Sequence, residues 1–215
     1  MKKRAYPVLF FCVLVISGTI WQIVALYLGQ PDIKNFPPKG AHIIALGDSL
    51  TVSLGASSVE HGFINILEKR LGVTIENKGI NSNTTRDALL RLNGDVLDQN
   101  PDIVIILLGG NDYLQRIPKE ETFKNLRMMI EAVQTQGGVV LLLGIRGGLL
   151  ADHFSDDFED LAKSTGSAYV PDVLESIFGD STLMSDQIHP NDRGYEKIAD
   201  KVAPILMQLI PQTVQ

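Results

Sequence analysis

Ile103-Val104-Ile105-Ile106-Leu107-Leu108-Gly109-Gly110-Asn111-Asp112 is the stretch that decides the fold. Six apolar residues follow one another without polar alternation, the mark of a central strand buried on both faces. Two adjacent glycines then permit a tight turn and the close approach of another group. Downstream, Lys119–Gln136 reads as a helix, with Pro118 near its start and Gly137-Gly138 after its end. Its Phe123, Leu126, Ile130 and Val133 form one stripe. Val139–Leu143 is a second buried strand. Upstream, His42–Leu46 and Val73–Asn77 read as strands. A helix from about Gly62 to Leu71 separates them, with Phe63, Ile66, Leu67 and Arg70 at helical spacing. Thr85–Leu97 is a further helix, with Asn83 or Thr84 as its cap. A helix from about Asp156 to Ser164, a short strand at Ala168–Val170 and a helix from Asp192 to Leu209, bent by Pro204, complete the pattern. Strands alternating with helices predict an α/β domain with parallel strands and helices on both faces. In such sheets the site lies beyond the carboxyl ends of the strands.

The chain has 215 residues, 19 Lys and Arg against 25 Asp and Glu, and one cysteine. That length suits one sizeable domain with an appendage. A mildly acidic balance without clustered Lys and Arg argues against a nucleic-acid partner. Cys12 sits in an apolar run, which excludes a disulfide framework, cysteine catalysis and a cysteine-held metal in the remainder. A monomer is the default expectation.

The N-terminus reads differently from the rest. Lys2, Lys3 and Arg4 precede an apolar stretch from Val8 to Leu28 that no charge interrupts. As a helix it would be roughly 30 Å long, the thickness of a bilayer core. Tyr6 and Tyr27 stand where interfacial aromatics are expected, and the basic cluster places the N-terminal end in the cytoplasm. Residues 1–29 are therefore expected to form an uncleaved transmembrane anchor, with the rest of the chain on the extracytoplasmic side. A cleaved signal peptide is the competing reading, but its hydrophobic run is normally shorter, and bulky Tyr27 stands where a small residue is needed. Residues 30–40, with Pro31, Pro37, Pro38 and Gly40, read as a linker, and 41–215 as the globular domain.

Three further segments accompany Gly109–Asp112. They are Gly47-Asp48-Ser49-Leu50-Thr51 after the first strand, Asn77–Thr84 after the second, and Asp186-Gln187-Ile188-His189-Pro190 before the last helix. The first three segments in chain order follow three parallel strands, so they converge on one rim. Ser49 supplies a hydroxyl that becomes nucleophilic only when a base takes its proton. By itself it reads as a turn or cap serine. His189 is the natural base, since an ordinary imidazole titrates near 6.5 and is largely neutral at pH 7. Asp186, three residues earlier, can fix the ring tautomer and stabilise the imidazolium. His42, His61 and His153 compete as bases but lie at a strand start, a helix start and an Asp-rich loop. Asn111 can donate its amide to an oxyanion, or simply form a turn. Asp112 reads as a structural turn or capping carboxylate. The loop Gly79–Thr84 offers backbone N–H groups to the rim. Tyr113, Leu114 and Ile117 are candidate walls of an apolar pocket, and Arg146 a candidate contact for a substrate head group.

These four segments resemble the sequence blocks of the SGNH (GDSL-type) hydrolases, over most of residues 41–210. The likeness is to the bacterial thioesterase I/lysophospholipase/arylesterase group, and Gly144-Ile145-Arg146 and Ile188-His189-Pro190-Asn191 share it. The resemblance implies a flavodoxin-like three-layer α/β/α sandwich with strand order 2-1-3-4-5. It implies Ser49 as nucleophile, with Asp186 and His189 completing a triad, and no cofactor or metal. It implies an oxyanion hole from the N–H of Ser49, an N–H of the second block and the Asn111 side chain. Where that block usually carries glycine, alignment on Asn77 and Thr84 puts Ser82. The expected activity is hydrolysis of lipid, aryl or acyl (thio)esters. The alternatives are an O-acetyl esterase of cell-envelope carbohydrate, and a non-catalytic, membrane-anchored binding module of the same fold.

Overall fold

Five strands form one parallel sheet in the order β2-β1-β3-β4-β5: β1 Ile43–Gly47, β2 Ile75–Gly79, β3 Ile103–Leu107, β4 Val139–Leu143 and β5 Ala168–Val170. The computed structural model describes residues 32–145 and 154–211. The α/β class and the strand order are those expected. β1, β3 and β4 are buried along their whole length, whereas the edge strand β2 is only partly covered. That gradient matches their sequences, since the three inner strands carry almost no polar side chain and β2 reads Ile-Glu-Asn-Lys-Gly.

Seven helices lie among the described residues: α1 Ser49–Val52, α2 Phe63–Leu71, α3 Thr85–Asp95, α4 Gly110–Leu114, α5 Lys119–Thr135, α6 Phe154–Thr165 and α7 Asp192–Leu209. The crossover from β1 to β2 runs one way along the sheet, and those to β3, β4 and β5 run the other. Right-handed crossovers therefore put α2 on one face and α3, α5 and α6 on the opposite one. The packing agrees, with α2 against α7, and α5 against both α3 and α6. Phe63 of α2 stacks on Tyr195 of α7 at a centroid distance of 6.5 Å.

The register sets the level of the rim. Gly47 pairs with Gly79 on one side and with Leu107 on the other, so β1, β2 and β3 end together. β2 begins two residues later than its sequence suggests. Gly72 in the left-handed region closes α2, the Val73 N–H bonds back to the Glu68 carbonyl, and the Ile75 N–H is held by the Glu68 carboxylate at 2.8 Å. Thr84 caps α3 in a reciprocal box with Asp87. The short helices α1 and α4 stand where turns were expected, each a single turn started at a strand end.

Ile33–Gln215 is one compact unit. Its first residues are fastened at the entry ends of the strands. The Lys34 N–H donates to the Gly166 carbonyl ahead of β5 (2.8 Å), and the Asn35 amide to the Gln134 and Gly138 carbonyls ahead of β4 (2.8 and 3.0 Å). The apolar stretch Val8–Leu28 lies outside the described residues. Among those described, no helix is long and apolar enough to cross a membrane.

Candidate active site

β1 delivers Ser49 to the rim as the first residue of α1. Asp48 caps that helix, its Oδ1 accepting the Leu50 N–H at 3.0 Å. The Ser49 side chain is largely covered, with 8% of the residue exposed. His189 comes from the far end of the chain. Its Nε2 lies 3.1 Å from Ser49 Oγ, and its Nδ1 lies 2.8 Å from Asp186 Oδ2. The structure thus brings Ser49, His189 and Asp186 into one hydrogen-bonded line, with the ring 14% exposed and the carboxylate 55%.

The loop that carries His189 is held by its own backbone. Asp186 Oδ1 accepts the N–H groups of Ile188 and His189, both at 2.7 Å. The Ser185 N–H donates to the His189 carbonyl, Met184 and Pro190 form a bridge, and Asn191 caps α7 through the Gly194 N–H. The His189 ring bond and these backbone donors hold the Asp186 carboxyl at about 2, well below the usual carboxylate range. It is therefore ionised at neutral pH. The other described histidines are engaged elsewhere: His42 with Glu76, and His61 with Ser57 and Asp192. His153 lies outside the described residues.

The loop after α1 touches the His189 loop at Gly55, which has φ +97°. A Cβ there would come within 2.6 Å of the Pro190 carbonyl oxygen and 3.0 Å of His189 Cβ. Only a residue without a side chain permits this approach. On the outer side, Tyr195 of α7 donates to the Leu54 carbonyl at 2.7 Å.

Asn111 lies in the first turn of α4, which begins after Gly109 in the left-handed region. Its Nδ2 donates to the Asn83 carbonyl at 3.0 Å and to Asp48 Oδ2 at 3.2 Å. The carboxamide therefore bridges the segments that follow β1 and β2, beside Ser49. Asp112 is fully buried and accepts the Thr85 N–H (2.8 Å) and the Thr85 and Thr122 hydroxyls (2.5 and 3.2 Å). It ties α4 to α3 and α5, which is the structural task read for it. Ser82 has φ +63°, the conformation that favours glycine, and stands exposed in the turn before α3. Among the described residues no acceptor is found for the N–H groups of Ser49 and Ser82.

A depression opens beside Ser49, lined by Leu50, Tyr113, Leu114, Ile145, Phe154, Leu174, Phe178 and Ile188, with Asp48, Gly109, Gly110 and Asn111 at the Ser49 end. Tyr113 and Leu114 are where the sequence suggested walls. Ile117 is not among the lining residues, because α4 ends at Leu114 and Arg116 (φ +57°) turns the chain away. Arg146 lies outside the described residues. Sequence reasoning missed Leu50, Ile145, Phe154, Leu174, Phe178 and Ile188 as lining. Ile188 alone carried a signal, its adjacency to His189; Leu174 and Phe178 come from a turn region without periodicity. Asp48 was also missed. Burial pushes its carboxyl up to about 6, with the nearby charge of Asp112 acting in the same direction and the Leu50 N–H and His189 opposing it. Among the described residues no group of three His, Cys, Asp or Glu side chains could hold a metal ion.

Comparison with known proteins narrows the chemistry. The esterase TesA of Pseudomonas aeruginosa is 30% identical over 179 residues, covering 78% of this chain and 89% of that protein. An arylesterase of Vibrio mimicus is 32% identical over 178 residues, covering 77% and 88%. A crystal structure of TesA superposes with a TM-score of 0.72 at 30% identity, covering 78% of this chain and 99% of the other. The pattern of the GDSL-like lipase/acylhydrolase family matches residues 45–197, from β1 through the His189 loop into α7, and this chain belongs to that family.

Proposed function

We propose that the protein is a serine ester hydrolase in which Ser49 is the nucleophile, His189 the base and Asp186 the orienting carboxylate. One observation carries this reading: the Ser49 hydroxyl, the His189 ring and the Asp186 carboxylate form a continuous hydrogen-bonded line. Ser49 Oγ attacks the ester or thioester carbonyl carbon while Nε2 takes its proton. The oxyanion forms against the N–H groups of Ser49 and Ser82 and the Asn111 amide. The bond to the leaving group breaks as His189 returns the proton to it. Water, deprotonated by the same ring, then attacks the acyl-enzyme and frees Ser49. Fluorophosphonate should label the protein, and Ser49→Ala should abolish labelling; a folded wild-type protein that fails to label would favour a binding module instead.

The lining supports an acyl chain as the bound group. Leu50, Ile145, Phe154 and Phe178 offer an apolar floor, and burial of each methylene contributes about 0.8 kcal/mol. The substrate class is therefore a lipid, aryl or acyl (thio)ester rather than an O-acetylated sugar. Turnover of p-nitrophenyl esters should rise from acetyl to longer chains, and strict acetyl preference would overturn that assignment. Residues 1–29 supply a membrane anchor, with the domain outside the cytoplasm. The uninterrupted apolar run behind Lys2, Lys3 and Arg4 supports that arrangement.

A further inference from the structure

Asp48 is a buried carboxylate for which the proposed chemistry has no task. It is 3% exposed, and its two oxygens point at two different elements. Oδ1 accepts the Leu50 N–H and starts α1, the helix that carries Ser49. Oδ2 accepts from Asn111 Nδ2 at the start of α4. Capping alone does not require a carboxylate here. A serine caps a helix comparably well and brings no buried charge. What aspartate adds is the second oxygen, and that oxygen faces Asn111.

The Asn111 amide nitrogen carries two hydrogens. Asn83 and Asp48 accept one each, from different loops. A planar amide tied at both hydrogens has its orientation fixed before any substrate arrives. The bond to Asp48 is the longer, 3.2 Å against 3.0 Å. We propose that Asp48 is the positioning residue of the oxyanion site, a single carboxylate that sets Asn111 and the Ser49 helix relative to each other. When the carbonyl oxygen becomes negative, the Asn111 N–H shared with Asp48 turns toward it, and the Asn83 bond keeps the amide in place. Asp48 edges the depression with only 3% of the residue exposed, and in this scheme it acts through Asn111 rather than on the substrate. The charged and titratable groups that act on it are His189, Asp112 and Tyr195. Burial pushes its carboxyl up to about 6, so it is largely ionised at neutral pH and able to accept from both the Leu50 N–H and the Asn111 amide.

The inference rests on Asn111 serving the oxyanion, and a double-mutant cycle separates the two claims. Asp48→Ser retains an acceptor for the Leu50 N–H and removes the link to Asn111. Turnover of p-nitrophenyl butyrate would be measured for wild type, Asp48→Ser, Asn111→Ala and the double variant, each normalised to sites titrated to completion by fluorophosphonate. Asn111→Ala should lower kcat about 10²–10³-fold. Asp48→Ser should lower kcat about 10–100-fold, as a misplaced catalytic group does, with KM within about threefold. In the Asn111→Ala background the same substitution should cost less than about twofold, because the residue it acts through is gone. Equal losses in both backgrounds, or no loss in either, would overturn the positioning role while leaving the oxyanion reading intact. Full kcat in Asn111→Ala would overturn both. If Asp48→Ser yields no titratable sites, Asp48→Asn is read in its place; if neither does, Asp48 serves folding and the proposal fails.

Discussion

Asp186 and Asp48 are two carboxylates of one site whose environments pull in opposite directions. Asp186 is held at about 2 by the His189 ring and two backbone N–H groups, so what it adds to stability is present above the ordinary carboxyl range and is lost as pH falls toward 2. Because its side chain is more than half exposed, solvent screens that contribution. In the proposed mechanism its task is tautomer control. Asp186→Asn should reduce kcat on the order of 10⁴-fold with an unchanged thermal midpoint; unaltered turnover would remove Asp186 from the mechanism. Asp48 behaves in the reverse sense. Its folded carboxyl stands at about 6 against 3.8 for an ordinary aspartate, so its favourable contribution is complete below about pH 4 and disappears as pH rises through 6. The difference amounts to on the order of 3 kcal/mol. In urea melts, Asp48→Asn should therefore gain about that much relative to wild type between pH 4 and pH 7, and a constant difference would show that Asp48 does not titrate in that window. That Ser49, Asp186, His189 and Asn111 would meet at one rim was legible in the sequence because their side-chain chemistry is specific and their segments keep strict order. The Asp48–Asn111 contact was not, because it spans 63 positions and exists only through the level ends of β1 and β3.

Among the elements, long ones were legible and single turns were not. β4 and α7 have the limits their sequences suggest, since apolar runs and helical stripes carry several independent signals. α1 and α4 are one turn each, too short for any periodicity, and they nonetheless carry Ser49 and Asn111. The late start of β2 depends on the Glu68 side chain, a contact no local pattern records. The contact between the α1 loop and the His189 loop at Gly55 is just as hidden. Gly55→Ala would force a methyl group toward the Pro190 carbonyl and His189 Cβ. We expect a stability loss of about 1–3 kcal/mol and a fall in kcat of about 10–100-fold, measured by urea melts and steady-state kinetics. Wild-type turnover in that variant would show that this contact does not hold His189.

For the whole molecule, core and chemistry are divided along the strand direction. Asp48, Ser49, Asn111 and His189 gather at the exit ends of the strands, while Lys34 and Asn35 are fastened at the entry ends. Removing everything ahead of Asp32 should therefore yield a soluble domain with undiminished turnover of a short-chain ester. Loss of activity in a folded truncate, checked by circular dichroism, would place the N-terminal residues in the site. The five-residue inner strands put roughly 16 Å of sheet between the two ends. A bead, dye or purification handle joined ahead of Ile33 meets the domain on the side away from the reaction, so an immobilised catalyst built that way keeps its mouth open to dissolved ester.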